Sequence, residues 1–188
     1  QEATNSWDFL LAEKLKRKII FPQSPRIIIS ISKKISATNS LSKLKSQAML
    51  FDDENSINWL INSQASVAII PYSLWVKYLK VDSRLSIVFP NQGVPLIWNF
   101  LLSKSKFNNQ ILVDWIKSFE KRIIIDQLAN QGWYLPFNNQ YSQNKYQNIK
   151  NNNFGPSKIC WKNSWSFSPF NNKEKLDLEN LWNRSLIP

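Results

Sequence analysis

The sequence contains no histidine and only one cysteine, Cys160. Without histidine the chain can form neither an imidazole general base nor a Ser-His-Asp triad. A single thiol cannot close a disulfide within the chain, and Cys-His metal sites are excluded. Carboxylate metal sites stay open, but the 13 acidic residues are spread out and form no ligand set or paired-acid motif. We therefore expect no catalytic activity, no metal and no cofactor.

Long apolar runs and a signal peptide are also missing. No stretch reaches the roughly 18 apolar residues that span a membrane, and no export signal is visible. The chain opens with Gln1 and its only methionine is Met49, which predicts a processed or truncated product. Glycine is scarce, but 13% of the 188 residues are aromatic, enough to build a packed core in one domain or two small lobes.

The net charge is +11. A basic balance of this size fits a nucleic-acid or anionic-surface partner. The alternative is that lysines are spread over a solvated surface. Because lysine and arginine are scattered, and the densest cluster, "EKLKRKII", is a short piece of an early turn, the sequence favours the second interpretation.

The order of apolar patterns predicts an α/β fold. We predict strands at "KIIFP" (18–22), "SVAII" (66–70) and "LSIVFP" (85–90). A helix is predicted after Ser24, which would be its N-cap and is followed by Pro25. Further helices are predicted over residues 40–50, 53–62 and 72–80, and Asp53 would cap the helix over 53–62. The run of strand 66–70, helix 72–80 and strand 85–90 is typical of a βαβ unit.

The second half of the chain is predicted to be mostly helical. A stripe at helical spacing indicates one long helix over 109–130, with Gly132 as its C-terminal stop. The polar stretch 138–158 indicates a surface loop. The last segment, "NKEKLDLENLWNRSL", is predicted to be an amphipathic helix whose inward side chains are Leu178, Leu181 and Trp182.

Five segments in register resemble periplasmic solute-binding proteins of the spermidine/putrescine type, the capture subunits of ABC importers. They are "SWDFLLAEKLKRKIIFPQSPRIII", "ENSINWLINSQASVAIIPYS", "LSIVFPNQGVPLIWNFLLSKSKFNNQ", "DWIKSFEKRIIIDQLANQGWYLPFN" and "ENLWNRSL". The evidence is their order, since no single motif is decisive. The resemblance implies a periplasmic-binding-protein-like fold of two α/β lobes, a periplasmic location, a small-molecule solute, a membrane permease as partner, and no nucleic acid.

The resemblance also implies how the chain is divided. Residues 1–92 would form most of the second lobe, residues 93–132 would cross the hinge and return into the first lobe, and residues 133–188 would return to the second. Most of the first lobe would precede residue 1. A stripe on the returning helix would then lack a covering lobe, leaving the chain marginally stable or self-associating; its members are Ile111, Trp115, Ile116, Phe119 and Ile123.

The resemblance implies a ligand site between the lobes, built from the "PQSPR" loop, the turn after "SVAII", the hinge crossing and the "GWYLP" turn. Each candidate also has a structural alternative: an aromatic packs in the core, Asn99 caps a turn, Ser24 caps a helix, and Arg26 pairs with an acid. The candidate ligand-binding residues are Ser24, Arg26, Tyr72, Ser73, Trp98, Asn99, Trp133 and Tyr134.

The sequence departs from the family pattern where the polycation would be bound. The "PQSPR" loop has no acid, Gln92 stands where a glutamate is common, and Asn99 stands where an aspartate is expected. Burying ammonium groups requires nearby carboxylates, so polyamine binding is weakened, although the missing lobe could supply acids. A neutral, zwitterionic or anionic solute becomes plausible, and Arg26 could then clamp an anion.

A second hypothesis is a basic, aromatic-rich protein that binds single-stranded nucleic acid. Its basis is the segment "KICWKNSWSF", in which aromatic residues alternate with lysine and could stack on bases.

Overall fold

The computed structural model describes residues 5–78, 82–99, 109–118, 121–133 and 155–185. The described chain is mixed α/β with small parallel sheets, which confirms the predicted class. It divides into two compact units. The first holds Gln1–Ile70, Asp82–Ile97 and Phe154–Pro188, and the second holds Pro71–Val81 and Trp98–Asn153. Their assignment to the lobes predicted at 1–92, 93–132 and 133–188 stays a prediction.

The first unit is built around a three-stranded parallel sheet of β1 (Ile19–Phe21), β2 (Ala48–Phe51) and β3 (Val67–Ala68), in the order β2-β1-β3. Ile19 pairs with both Ala48 and Val67. All three residues of β1 are completely buried. A central parallel strand is covered on both faces, and for this reason its sequence is a continuous apolar run.

Two short 3-10 helices, Trp7–Leu11 and Glu13–Leu15, precede β1, and α1 (Pro25–Ser32), α2 (Ser40–Gln47) and α3 (Ser56–Ile61) connect the strands. The isoleucine-rich stretch after Ser24 is a helix, as predicted. Pro25 is the first helical residue, and three isoleucines of the helix, Ile28, Ile29 and Ile31, are buried in the core. The buried cluster consists of Trp7, Leu10, Leu15, Ile19, Phe21, Ile28, Ile29, Ile31, Ile35, Leu41 and Leu44.

Three predicted boundaries in this unit are wrong. The helix predicted over 40–50 ends at Gln47, and Ala48–Phe51 is instead strand β2 because it pairs with β1. Tertiary pairing here overrides local propensity. Asn55, not Asp53, is the N-cap residue of α3, and the strand predicted over 66–70 is limited to Val67–Ala68.

The predicted third strand, "LSIVFP", is also wrong. Residues 85–90 form neither helix nor strand, and Val88 is 43% exposed. The next strand is β4 (Pro95–Leu96), which pairs in parallel with β5 (Trp165–Ser166) in a separate two-stranded sheet. The βαβ unit proposed from the sequence therefore lacks its second strand, since an apolar run becomes a strand only where a partner edge accepts it.

Gly93 makes the β4–β5 pairing possible. Its φ of +88° lies in the left-handed region, and its α-carbon lies so close to the backbone carbonyl of Asn163 that a β-carbon would overlap it. Two hydrogen bonds then join the segments, from Val94 N to Ser164 Oγ (3.1 Å) and from Trp165 N to Val94 O (3.2 Å). Only glycine fits here.

The chain ends in α7 (Lys158–Asn163) and α8 (Asn172–Arg184). A capping box begins α8, because Asn171 Oδ1 accepts from Glu174 N (2.8 Å) and Glu174 Oε2 accepts from Asn171 N (3.0 Å). Leu178 and Trp182 pack against the core as predicted. Leu181 does not, being 45% exposed. Leu178 and Trp182 are four apart and share a face, and Leu181 lies beside that face.

The second unit contains α4 (Tyr72–Tyr78), α5 (Asn109–Ser118) and α6 (Arg122–Asn130). The single helix predicted over 109–130 is therefore wrong. Lys121 has extended backbone angles and begins α6 as its N-cap, so the apolar periodicity continues across a break in the helix.

The predicted stop of that helical region is confirmed. Gly132 has a φ of +79°, its N–H donates to the Ala129 carbonyl (3.0 Å), and Trp133 N donates to the Leu128 carbonyl (2.9 Å). Left-handed glycine with such bonds is the usual end of a helix. Of the predicted exposed stripe, Ile123 is 72% exposed, whereas the side chains of Ile111, Trp115, Ile116 and Phe119 lie outside the described residues.

Candidate ligand-binding edge of the parallel sheet

The candidate site lies where the three strands of the parallel sheet end. The chain leaving β2 stays bonded to β1 through Asp52 N and Phe21 O (2.9 Å), and the chain leaving β3 does so through Ile69 N and Ile20 O (3.0 Å). Because β2 and β3 flank β1, the chain connections reverse direction at β1. Open α/β sheets bind ligands outside the carboxyl ends of their strands, at such a switch point.

The loop after β1 places two of the predicted residues at this edge. Ser24 is the N-cap residue of α1 but makes no side-chain capping hydrogen bond, so its hydroxyl does not fill the cap role that was its structural alternative. Gln23 N donates to Asp53 Oδ1 (3.2 Å). The loop that lacks an acid of its own is thereby joined to a carboxylate from the loop after β2.

Sequence reasoning missed the acids of that second loop as site residues, because the sequence predicts Asp53 only as the cap of the following helix. Asp52 Oδ1 accepts from the backbone N–H groups of Asn55 (3.1 Å) and Glu54 (2.8 Å), and these bonds hold its pKa below the ordinary value. The signal that could have found them is their position directly after a strand. Two carboxylates therefore lie at the edge. Asp52 is hydrogen-bonded within its own loop, and Asp53 is hydrogen-bonded to the loop after β1.

Arg26 lies at the same edge, but its guanidinium is engaged within the chain. Its Cζ lies over two rings, 4.6 Å from the Phe167 centroid and 3.7 Å from the Phe170 centroid. Its Nη2 donates to the carbonyl oxygen of Ser168. The guanidinium is thus already engaged by two rings and a carbonyl oxygen, which leaves less of it available to an anion. The structural alternative predicted for Arg26 was an ion pair with an acid. The structure instead shows cation–π contacts with Phe167 and Phe170.

Gln92, one of the three neutral residues at expected acid positions, turns toward the N-terminal segment. Its Oε1 accepts from Trp7 N (3.0 Å), and its Nε2 donates to Ser6 Oγ (2.8 Å) and Asp8 Oδ2 (3.1 Å). A glutamate could accept but could not donate here, and it would face the Asp8 carboxylate. The neutral amide is thus required by packing and says nothing about the solute.

The second unit holds the other predicted residues. Tyr72 is stacked on Trp75 with ring centroids 5.8 Å apart. Ser73 packs closely against Gly132, the residue at which the α6 region ends. A β-carbon on Gly132 would lie only 2.8 Å from the Ser73 α-carbon. The next residue, Trp133, is 38% exposed. The structure thus brings Tyr72, Ser73 and the start of the "GWYLP" turn together within one unit.

Trp98 and Asn99 belong to the second unit as well. Trp98 is 48% exposed and Asn99 is exposed, which disfavours the structural alternative in which Trp98 is a core residue. Tyr134 lies outside the described residues. Ser24 and Arg26 belong to the first unit, so the predicted set is divided between two separately described bodies.

Two of the three aromatic rings of "KICWKNSWSF" are covered by the chain's own cations. Lys34 Nζ lies over the Trp165 ring at 4.9 Å, and Phe167 carries the Arg26 guanidinium. Cys160 is fully buried, and burial raises the pKa of its thiol. The segment does not present the row of open ring faces on which bases would stack.

Within the described ranges, no group of three or more His, Cys, Asp or Glu side chains is placed to hold a metal ion. The described helices include none that is both long and apolar enough to cross a membrane. What the edge offers is binding chemistry, namely an unbonded cap hydroxyl, carboxylates and amides. Comparison of the chain with protein-family models, with curated proteins and with solved structures gave no match.

Proposed function

We propose that this chain is the solute-binding component of an ABC importer of the periplasmic-binding-protein type. It captures a small solute and presents it to a membrane permease. The observation that carries the proposal is the parallel sheet in the order β2-β1-β3, whose switch point faces the "PQSPR" loop. The ordered resemblance of the sequence to that family, and the periplasmic location that it implies, support the same assignment.

The chemistry of the edge favours a solute that carries an ammonium group. An ammonium group taken out of water needs a carboxylate or several hydrogen-bond acceptors nearby. Asp53 supplies the charge, and its bond to Gln23 N fixes it beside Ser24. The Arg26 guanidinium is already engaged by two aromatic rings and by the Ser168 carbonyl oxygen, which weighs against a mainly anionic solute. Because one loop supplies the acids, we propose a short amine or zwitterion in preference to a long polyamine.

An NMR titration of the 15N-labelled chain tests this proposal, because chemical shifts detect weak binding and locate it. The probes are putrescine, spermidine, a neutral amino acid and a dicarboxylate. We expect the amine-bearing probes to shift the backbone amide signals of Gln23, Ser24 and Asp53, and the dicarboxylate to leave them unchanged.

Asp53→Asn should reduce these shifts, because it removes the charge and keeps the shape. The matched control is Asp177→Asn, which removes an exposed acid on α8 and should leave the titration unchanged. The proposal is wrong if no probe shifts the edge amides, or if single-stranded DNA shifts them at lower concentration than any probe. Permease and ATPase genes beside this one would independently support the importer assignment.

A further inference from the structure

A second surface of the first unit carries four cations within five consecutive residues. Lys14, Lys16, Arg17 and Lys18 are all exposed, and only Leu15 between them is buried, at 5% exposure. We call these four residues the basic turn. Leu15 anchors the turn in the core, so the charged side chains point away from it.

The backbone of the basic turn is fixed. Lys18 N donates to the Leu15 carbonyl (2.9 Å), and the Lys18 carbonyl accepts from Ser66 N (2.9 Å) and Val67 N (3.3 Å). Arg17 has a φ of +54°, which makes the chain reverse immediately before β1. The cations are therefore presented by an ordered turn joined to the sheet.

The parallel sheet separates the basic turn from the acids of the candidate site. All strands begin at one edge and end at the other, so the basic turn lies at the amino edge and Asp52 and Asp53 lie at the carboxyl edge. The residues that lead into β2 and β3, 46–47 and 64–66, are uncharged. Glu13 Oε1 lies 3.5 Å from Lys16 Nζ. Both side chains are mostly exposed, and an exposed ion pair of this kind contributes little stabilisation.

We propose that the basic turn docks the protein on a bilayer surface that carries anionic lipid headgroups. Each Lys or Arg side chain of a cluster contributes additively to binding at such a surface and raises the affinity about fivefold. A nucleic acid fits less well because the turn offers no open aromatic face for a base. The ring of Phe9 already carries the Lys14 ammonium at 5.2 Å. The proposal does not depend on which solute the carboxyl edge binds.

Flotation of the chain with lipid vesicles tests this inference. The vesicles contain phosphatidylcholine either alone or mixed with phosphatidylglycerol. We expect binding only to the mixed vesicles, falling as salt is raised. The triple variant Lys14→Gln, Lys16→Gln, Lys18→Gln should lose roughly a hundredfold in affinity. Circular dichroism checks its folding, and the three side chains are exposed.

The matched control is the triple variant Lys158→Gln, Lys173→Gln, Lys175→Gln, which removes the same charge from exposed positions on α7 and α8. It should retain most of the binding. An equal loss in both triple variants would overturn the proposal, because net charge alone would then be responsible. It would also be overturned if the chain bound neutral vesicles equally well, or if the basic-turn variant lost binding to single-stranded DNA while keeping its binding to vesicles.

Discussion

The indole N–H of Trp7 donates a buried 2.8 Å hydrogen bond to the carbonyl oxygen of Gly93, 86 residues further along the chain. The Trp7 backbone N–H is bonded in turn to the side chain of Gln92. Two adjacent residues therefore hold the N-terminal 3-10 helix against the segment that leads into β4. These contacts make residues 92–93 part of the structural framework of the first unit.

Trp7→Phe should lower the free energy of unfolding by about 1–3 kcal/mol, because the Gly93 carbonyl would stay buried without its donor. Urea denaturation followed by circular dichroism measures the change. Trp133→Phe is the control, since Trp133 is 38% exposed, and it should cost less than about 0.5 kcal/mol. Equal effects of the two substitutions would contradict the role given to the Trp7 indole.

Gln92→Glu should destabilise the chain at pH 7 by about 1–3 kcal/mol, because it removes the donor to Ser6 and Asp8 and places two carboxylates together. The repulsion raises the pKa of the introduced carboxyl in the folded state. The loss is therefore full above that pKa and shrinks as the pH falls through it.

Gln92→Met separates the charge effect from the lost hydrogen bonds. Its destabilisation should change less between pH 7 and pH 4 than that of Gln92→Glu, because it removes one donor to Asp8 but introduces no second carboxylate. If both variants show the same pH dependence in urea denaturation, repulsion from Asp8 is not the cause.

Gly93→Ala should cost more than about 4 kcal/mol or prevent folding, because the new β-carbon would overlap the Asn163 carbonyl and lie 2.5 Å from Ser164 N at a positive φ. Gly132→Ala should cost less, since its nearest contact would be the Ser73 α-carbon at 2.8 Å. Gly155→Ala, with no atom within 4 Å, is the control and should be near neutral. Thermal unfolding checks this order, and any other order would count against the described packing.

Arg26→Lys should lower stability by about 1–2 kcal/mol without any ligand present, because an ammonium group contacts the Phe167 and Phe170 rings less extensively than a planar guanidinium does. Arg184→Lys, at an exposed position at the end of α8, should have no measurable effect. If Arg26→Lys leaves thermal stability unchanged but weakens anion binding, the residue acts as the anion clamp that the sequence had suggested.

Stability should fall on acidification partly through Asp8. The Ser6 hydroxyl (2.7 Å) and the Ser36 backbone N–H (2.9 Å) donate to its carboxylate and hold its pKa below the ordinary 3.8. A depressed carboxyl pKa stabilises the fold above 3.8, and the contribution is lost as the pH falls through the folded-state value. Asp8→Asn should therefore flatten the acid limb of stability against pH.

Ser6→Ala tests the cause assigned to that shift. It removes the first donor to Asp8, so the folded-state pKa of Asp8 should rise toward 3.8 and the acid-induced loss attributed to Asp8 should become smaller. NMR titration of the Asp8 carboxyl carbon measures the pKa directly. A pKa that is unchanged by Ser6→Ala would assign the shift to Ser36 and Gln92.

The local chemistry of the sequence predicted several elements correctly. Pro25 after Ser24 indicated the start of α1, Gly132 indicated the end of the α6 region, and Leu178 with Trp182 indicated the inward face of α8. Each of these features depends on residues within one or two helical turns. The order of apolar patterns along the chain predicted the α/β class, whereas the "PQSPR" loop of the candidate edge was implied by the family resemblance.

Tertiary contacts decided what the sequence could not. Residues 48–51 are a strand because β1 pairs with them, and residues 85–90 are not a strand although their pattern is equally apolar. Likewise, Gln92 and Arg26 were interpreted as site residues or missing acids, but their partners Trp7, Phe167 and Phe170 lie far away in sequence. Composition and spacing determine which local structures a chain can form, whereas pairing between distant segments determines which of them form and which side chains remain available to bind.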